Sequence, residues 1–366
     1  MITPLTTKLH PEGFNSPYYE VDGKRFYTKY HALEHCRSVG WEWPTFKVWE
    51  ISNSFKRPKK NFKQSIKTQC EILSDTYKKV RLFYSGGTDS NLILHNLLET
   101  KSKLDEIAVY RRFPGVVDND SNEFDQFNIL DVIKKILAQY NTKVPVKFYD
   151  IMPEHFNYYS SRLDELFFPY TDLDFFMNGI HTIAEIYPTM LDNDFVNVLG
   201  HAFPYVNDNN EFYWNDGGFN HTQPDPYAVN FFCDSRNTDL AVNIAYSMRD
   251  YLQRHGKISN EINWANGEYK NFKPVRDILG FPNTGTPLDT KYDALNVDSV
   301  TTWLLQRKIL VHMANAQKSE IGRQTFDNFV RFYQDYEGKF ARYFNNRSIY
   351  NGWVGSVSEK HILLDV

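Results

Sequence analysis

Six consecutive residues, Ser85-Gly86-Gly87-Thr88-Asp89-Ser90, carry the chemistry that is easiest to read in this chain. Two adjacent glycines let the backbone turn tightly and approach a ligand with no Cβ in the way. Successive N–H groups on such a turn converge as an anion-binding nest. A helix opening at Thr88 would add the positive end of its dipole. Ser85, Thr88 and Ser90 offer hydroxyl donors to the same anion. Asp89 would repel a phosphate unless a cation lies between them, so it reads as a magnesium ligand. The GxxxxGK[ST] spacing and its lysine are absent, and so is GxGxxG, which separates this turn from the two commonest phosphate loops.

The elements needed to present that turn are visible around it. Val80–Tyr84 predicts a strand running into the turn, and 88–99, with Leu92, Ile93, Leu94, Leu97 and Leu98, predicts the helix leaving it. Ile107–Tyr110, Val144–Ile151 and Phe195–Gly200 read as further strands. Helices are expected over 121–140, opened by an Asp120/Glu123 capping pair, and over 171–190. This alternation implies a parallel sheet with helices on both faces. Upstream, residues 1–75 read as a small α+β module. It holds a hairpin turning at Asp22-Gly23, a short helix over Lys29–Ser38, an irregular aromatic stretch from Pro44 to Phe55, and a basic, proline-broken segment at 56–63. A helix over 63–78 leads into the α/β domain, placed at 76–205. Residues 206–366 read as a mostly helical region. Its helices fall near 238–254, 298–316 and 323–344, after a hairpin over 203–206 and 211–214.

Other residues fall where ligands bind in open α/β sheets, at the carboxyl ends of strands. Arg111 and Arg112 follow the second strand and could neutralise a phosphate or carboxylate by bidentate contact. His201 follows the fourth and could donate to phosphate or act as acid and base. Arg236 and Lys308 are further cations without an assigned place. His31 and His35 lie four apart beside Cys36, a spacing that can hold zinc, but a helix surface is the better reading. The basic run at 56–63 reads as a solvated linker before it reads as a nucleic-acid contact.

Composition narrows the classes. The 366 residues are 42% hydrophobic and 23% charged, so the chain can build cores and is not disordered. A formal net charge of −4 excludes a polycation that coats nucleic acid. Cys36, Cys70 and Cys233 are scattered and show no CxxC spacing, which fits a reducing compartment. With no signal-peptide pattern at Met1–Leu5 and no long apolar run, a cytoplasmic protein with no membrane span is expected.

The SGG-x-DS turn between strand and helix resembles the signature of the PP-loop ATP pyrophosphatases, which include asparagine, β-lactam, GMP and NAD synthetases. The resemblance covers about residues 63–205 and is nearest to the synthetase domain of asparagine synthetase. There, Asp120-Ser121-Asn122-Glu123-Phe124 resembles an acidic helix start, and Pro153-Glu154-His155-Phe156, following the strand Val146–Ile151, an acidic loop after a strand. The resemblance implies a doubly wound parallel sheet of the HUP-like, adenine nucleotide alpha hydrolase-like kind. It implies ATP and Mg2+ as cofactors, with Ser85 to Ser90 on the pyrophosphate and Asp89 on the metal. It also implies an AMP-forming ligase that adenylates a small-molecule carboxylate or amide and passes it to an amine donor. Asp89, Arg111 and His201 are the catalytic candidates. Two features depart from the family. Gly200-His201-Ala202-Phe203-Pro204 stands where the family carries an acidic glycine box, with no carboxylate before Asp208. Nor does the chain begin with a glutaminase cysteine, so ammonia would come free, as a primary amine or from a separate partner. The alternatives are a PP-loop enzyme modifying a base in tRNA, DNA or a nucleobase precursor, and a non-catalytic nucleotide-binding module. Thiolating members and sulfate reductases of similar loop need cysteines that are missing here.

Overall fold

In the computed structural model the described residues are 17–26, 29–41, 44–50, 54–112, 129–151, 194–200, 203–207, 209–214, 228–255, 279 and 358–364. The first sheet is antiparallel and has the order β2-β1-β3, from β1 (Tyr18–Val21), β2 (Lys24–Phe26) and β3 (Thr45–Lys47). Asp22 and Gly23 both take positive φ, 50° and 69°, the type I′ geometry that matches the twist of a two-residue hairpin. Helix α1 (Lys29–Val39), expected over Lys29–Ser38, packs beside this hairpin.

A second sheet, order β4-β12-β10-β9, joins distant parts of the chain: β4 (Ser54–Phe55), β9 (Tyr205–Val206), β10 (Glu211–Tyr213) and β12 (His361–Leu363). The 205–213 hairpin is as expected. Strand β12, within the stretch read as mostly helical, is not. The rings of Trp49, Phe55, Phe212 and Trp214 all lie within 5.7 Å of the buried His361 ring, centroid to centroid, which makes this sheet a largely aromatic junction.

The third sheet carries the SGGTDS turn. Its strands are β5 (Lys79–Phe83), β6 (Glu106–Arg112), β7 (Val146–Ile151), β8 (Phe195–Leu199) and β11 (Ala228–Asn230), all parallel, in the order β11-β8-β5-β6-β7. The chain therefore winds outward from β5 to β7, then crosses to the other side of β5 for β8 and β11. The topological switch lies between β5 and β8. Strand β11 has no counterpart among the expected strands; three residues are too few to show a period.

Alternate residues of these strands define two unlike faces. Val80, Leu82, Ile107, Val109, Val196, Val198 and Val229 join one apolar core with α2 (Phe62–Thr76), α3 (Thr88–Glu99), α4 (Ile129–Gln139) and α5 (Thr238–His255). Asn61 and Gln64 cap α2 reciprocally, each side chain bonding the other's backbone N–H at 2.9 Å. The opposite face carries a buried polar row. Arg81 lies in register with Glu106 on one side and Asn197 on the other. Its Nε donates to Glu106 Oε1 at 2.5 Å and an Nη to Asn197 Oδ1 at 3.1 Å, while Tyr149 Oη donates to the same Glu106 oxygen at 2.7 Å. All four described helices of this core pack on the apolar face. The 121–140 helix is observed as Ile129–Gln139, and its expected capping pair lies outside the described residues. So do the helices expected over 171–190, 298–316 and 323–344. No helix among the described residues is long and apolar enough to cross a membrane.

Candidate functional site: a glycine turn at the switch point

Strand β5 delivers the turn at the carboxyl edge of the sheet, beside the switch. Tyr84 continues the ladder, its N–H donating to Ala108 O at 2.9 Å. Its buried hydroxyl then spans the turn and donates to Asn91 Oδ1 at 2.5 Å. Burial pushes the Tyr84 hydroxyl above its ordinary pKa, so it remains a proton donor. The base of the loop is thus closed from Tyr84 on one side to Asn91 on the other.

Within the loop, Gly86 takes φ +78°, which a residue with a Cβ adopts only under strain. Gly87 is the N-cap of α3, extended, with no side-chain cap, and its carbonyl accepts the first helical bond from Asn91 N at 3.0 Å. By helix geometry the leading N–H groups of α3 point out of this end, toward the space beyond the strands. Ser90 is buried and its hydroxyl donates to Gly87 O at 3.0 Å, so it holds the loop's own shape. Ser85 is exposed, with its Oγ 3.4 Å from both Ser90 Oγ and Gly87 N. Thr88 opens α3, but its side chain lies outside the described residues. Asp89 is half-buried in the helix's first turn.

Gly200 follows β8, the strand across the switch. A Cβ built there would lie 3.2 Å from both Asp89 Cβ and Ile93 Cδ1, and 3.4 Å from the Asp89 carbonyl carbon. The end of β8 and the first turn of α3 are therefore in close approach, and Asp89 sits at that contact. Arg111 lies at the carboxyl end of β6, paired with Asp150 of β7 in backbone register. The turn, Gly200 and the backbone of Arg111 thus share one edge of the sheet. The Arg111 and Arg112 side chains, His201 and Lys308 lie outside the described residues.

The remaining candidates sit elsewhere. Arg236 is bound to Asp234, its Nε at 2.8 Å from Oδ1 and an Nη at 2.5 Å from Oδ2. Gln69 of α2 donates to the same carboxylate at 2.8 Å, so Asp234 ties the start of α5 to α2. His35 Nδ1 lies 3.2 Å from Ser38 Oγ on its own helix. In the basic segment, one Nη of Arg57 donates to both carboxylate oxygens of Asp250, at 2.8 and 2.6 Å, and the guanidinium lies over the Tyr246 ring, as in a structural clamp.

No protein-family model matches the chain, and no curated protein matches its sequence.

The groups at the turn suit a magnesium nucleotide. Magnesium bound through phosphates asks for one or two carboxylates and otherwise keeps water and phosphate oxygens. Asp89 beside a positive-φ glycine turn meets that need. No group of three His, Cys, Asp or Glu side chains that would form an all-protein cage is found among the described residues. Two features of the site escape a reading of the sequence. The Tyr84 to Asn91 bond has no local signature. Gly200 carried a weak one, since a glycine ending a strand often marks close backbone approach.

Proposed function

We propose that the chain is an ATP-dependent, AMP-forming ligase of the PP-loop kind, with a doubly wound, HUP-like nucleotide domain. The observation that carries this reading is the position of the SGGTDS turn. It follows the central strand of a parallel sheet, at the switch point, with a positive-φ glycine and an uncapped helix start aimed past the strand ends. Backbone N–H groups of 86–90 would hold the pyrophosphate portion of ATP, and Asp89 would hold Mg2+, which when bound offsets the phosphate charge. Arg111, at the same edge, would neutralise a phosphate or the substrate carboxylate, and His201 would donate to phosphate or move a proton.

In that reaction a carboxylate or amide oxygen of a small molecule attacks the α-phosphorus and pyrophosphate leaves. An amine then attacks the acyl carbon, losing a proton, and AMP leaves. The cysteines favour this over sulfur transfer. All three are buried. Burial pushes the Cys70 thiol up to about 12 and lifts Cys233 well above its ordinary value, so neither supplies a thiolate at neutral pH.

The test is incubation with ATP, Mg2+ and pooled carboxylates and amines, followed by nucleotide analysis. AMP and pyrophosphate are expected in equal amounts. ADP and phosphate would overturn the PP-loop reading. Tight ATP binding without turnover, lost in Asp89→Ala, would assign a binding module instead.

A further inference from the structure

We propose that Gly200 is a positioning residue, which seats the end of β8 against α3 and thereby fixes where the Asp89 carboxylate meets a divalent cation. The inference rests on the reading of the turn as an ATP and magnesium site. Gly200 has no positive φ, so its backbone would accept any residue, and what it supplies is space. A Cβ would press on Asp89 Cβ, on the Asp89 carbonyl carbon and on Ile93 Cδ1. The first two are fixed to the backbone of α3. Ile93 is fully buried in the core and has little room to yield. An added methyl would therefore displace the first turn of α3 by tenths of an ångström, with Asp89 at the point of pressure.

That displacement acts on the metal more than on the anion nest. Magnesium demands near-octahedral geometry at short range and tolerates little ligand movement. Gly86 and Gly87 lie ahead of the contact, and the loop base is held separately by Tyr84 and Asn91.

Calorimetric ATP titrations of the full chain at stepped Mg2+ concentrations give the readout, together with metal-free pyrophosphate titrations. In Gly200→Ala the Mg2+ concentration for half-maximal ATP binding is expected to rise about 10-fold, as for other residues that orient a metal ligand. Metal-free pyrophosphate affinity should stay within about twofold, since the amides of Gly86 and Gly87 lie ahead of the contact and those of 88–90 move by only tenths of an ångström. The double variant Ile93→Val/Gly200→Ala removes Cδ1 and leaves the Asp89 contacts, so it should keep the defect. It also carries the test if Gly200→Ala alone fails to fold. Unchanged Mg2+ dependence in Gly200→Ala, or full recovery in the double variant, overturns the inference. A wild-type chain whose ATP binding ignores Mg2+ overturns the reading of the turn itself.

Discussion

Tyr84 and Asn91 flank the glycine turn and bond across its base. Removing the hydroxyl in Tyr84→Phe leaves a buried amide oxygen without its donor, a loss of about 1–3 kcal/mol. Chemical denaturation should show that loss, and pyrophosphate affinity should fall with it because the loop is no longer held in shape. Unchanged stability and affinity would remove the bond from the account. His95, on the same helix, gives a pH signature. It is half-buried with Nδ1 3.0 Å from Tyr140 Oη, and burial lowers its pKa below 6.5, against the opposing pull of Glu99. Below about pH 6.5 the unfolded chain binds a proton that the folded chain does not. Stability is therefore full above that pH and falls as the pH drops toward the folded value. His95→Gln should flatten the decline in melting temperature between about pH 7.5 and 5.5, and an unaltered slope would assign the decline to other groups. These pairings could not be read from the sequence. Tyr84 and Asn91 meet only because the turn folds back, and His95 meets Tyr140 from a separate helix.

At the scale of elements, the polar row across β8, β5 and β6 is the least expected part of the sheet. Arg81 is 1% exposed yet sits in the central strand. Replacing it with Met strands the Glu106 carboxylate in the interior, at a cost of about 3–5 kcal/mol. Replacing Arg81 and Glu106 together by apolar residues should cost less, because no lone charge remains. Urea denaturation of the two variants decides the matter, and equal losses would mean that packing outweighs charge. The strands themselves were legible, since Val80, Leu82, Ile107, Val109, Val196 and Val198 give the β-branched runs of a sheet core. Their polar neighbours were not, because Arg81, Glu106 and Asn197 find one another through register, which no single strand encodes. Helix α3 and its glycine turn were legible from local residues alone. Strand β11 and the contact at Gly200 were not, since one is too short for a pattern and the other forms only when β8 lies beside β5.

At the scale of the molecule, β12 lies between β4 and β10, and Lys47 bonds Glu359 across 312 residues of chain. Trp214 N donates to Ser358 Oγ at 3.0 Å, and His361 fills the centre of the aromatic junction. A chain ending before Ser358 should expose Trp49 and Trp214, seen as a red shift of tryptophan emission with a lower melting temperature. Unshifted emission would show that the junction closes without β12. The same insertion imposes an order on folding. During synthesis the parallel sheet, whose last strand among the described residues is β11, can assemble while residues 358–364 are still unmade. Trp49 and Phe55 can meet Phe212 and Trp214 earlier, but their contacts with His361 wait until β12 arrives from more than 300 residues downstream. The nascent chain therefore passes through a stage in which its glycine turn can be in place while its aromatic seam still lacks β12, an interval of exposed apolar surface that favours aggregation.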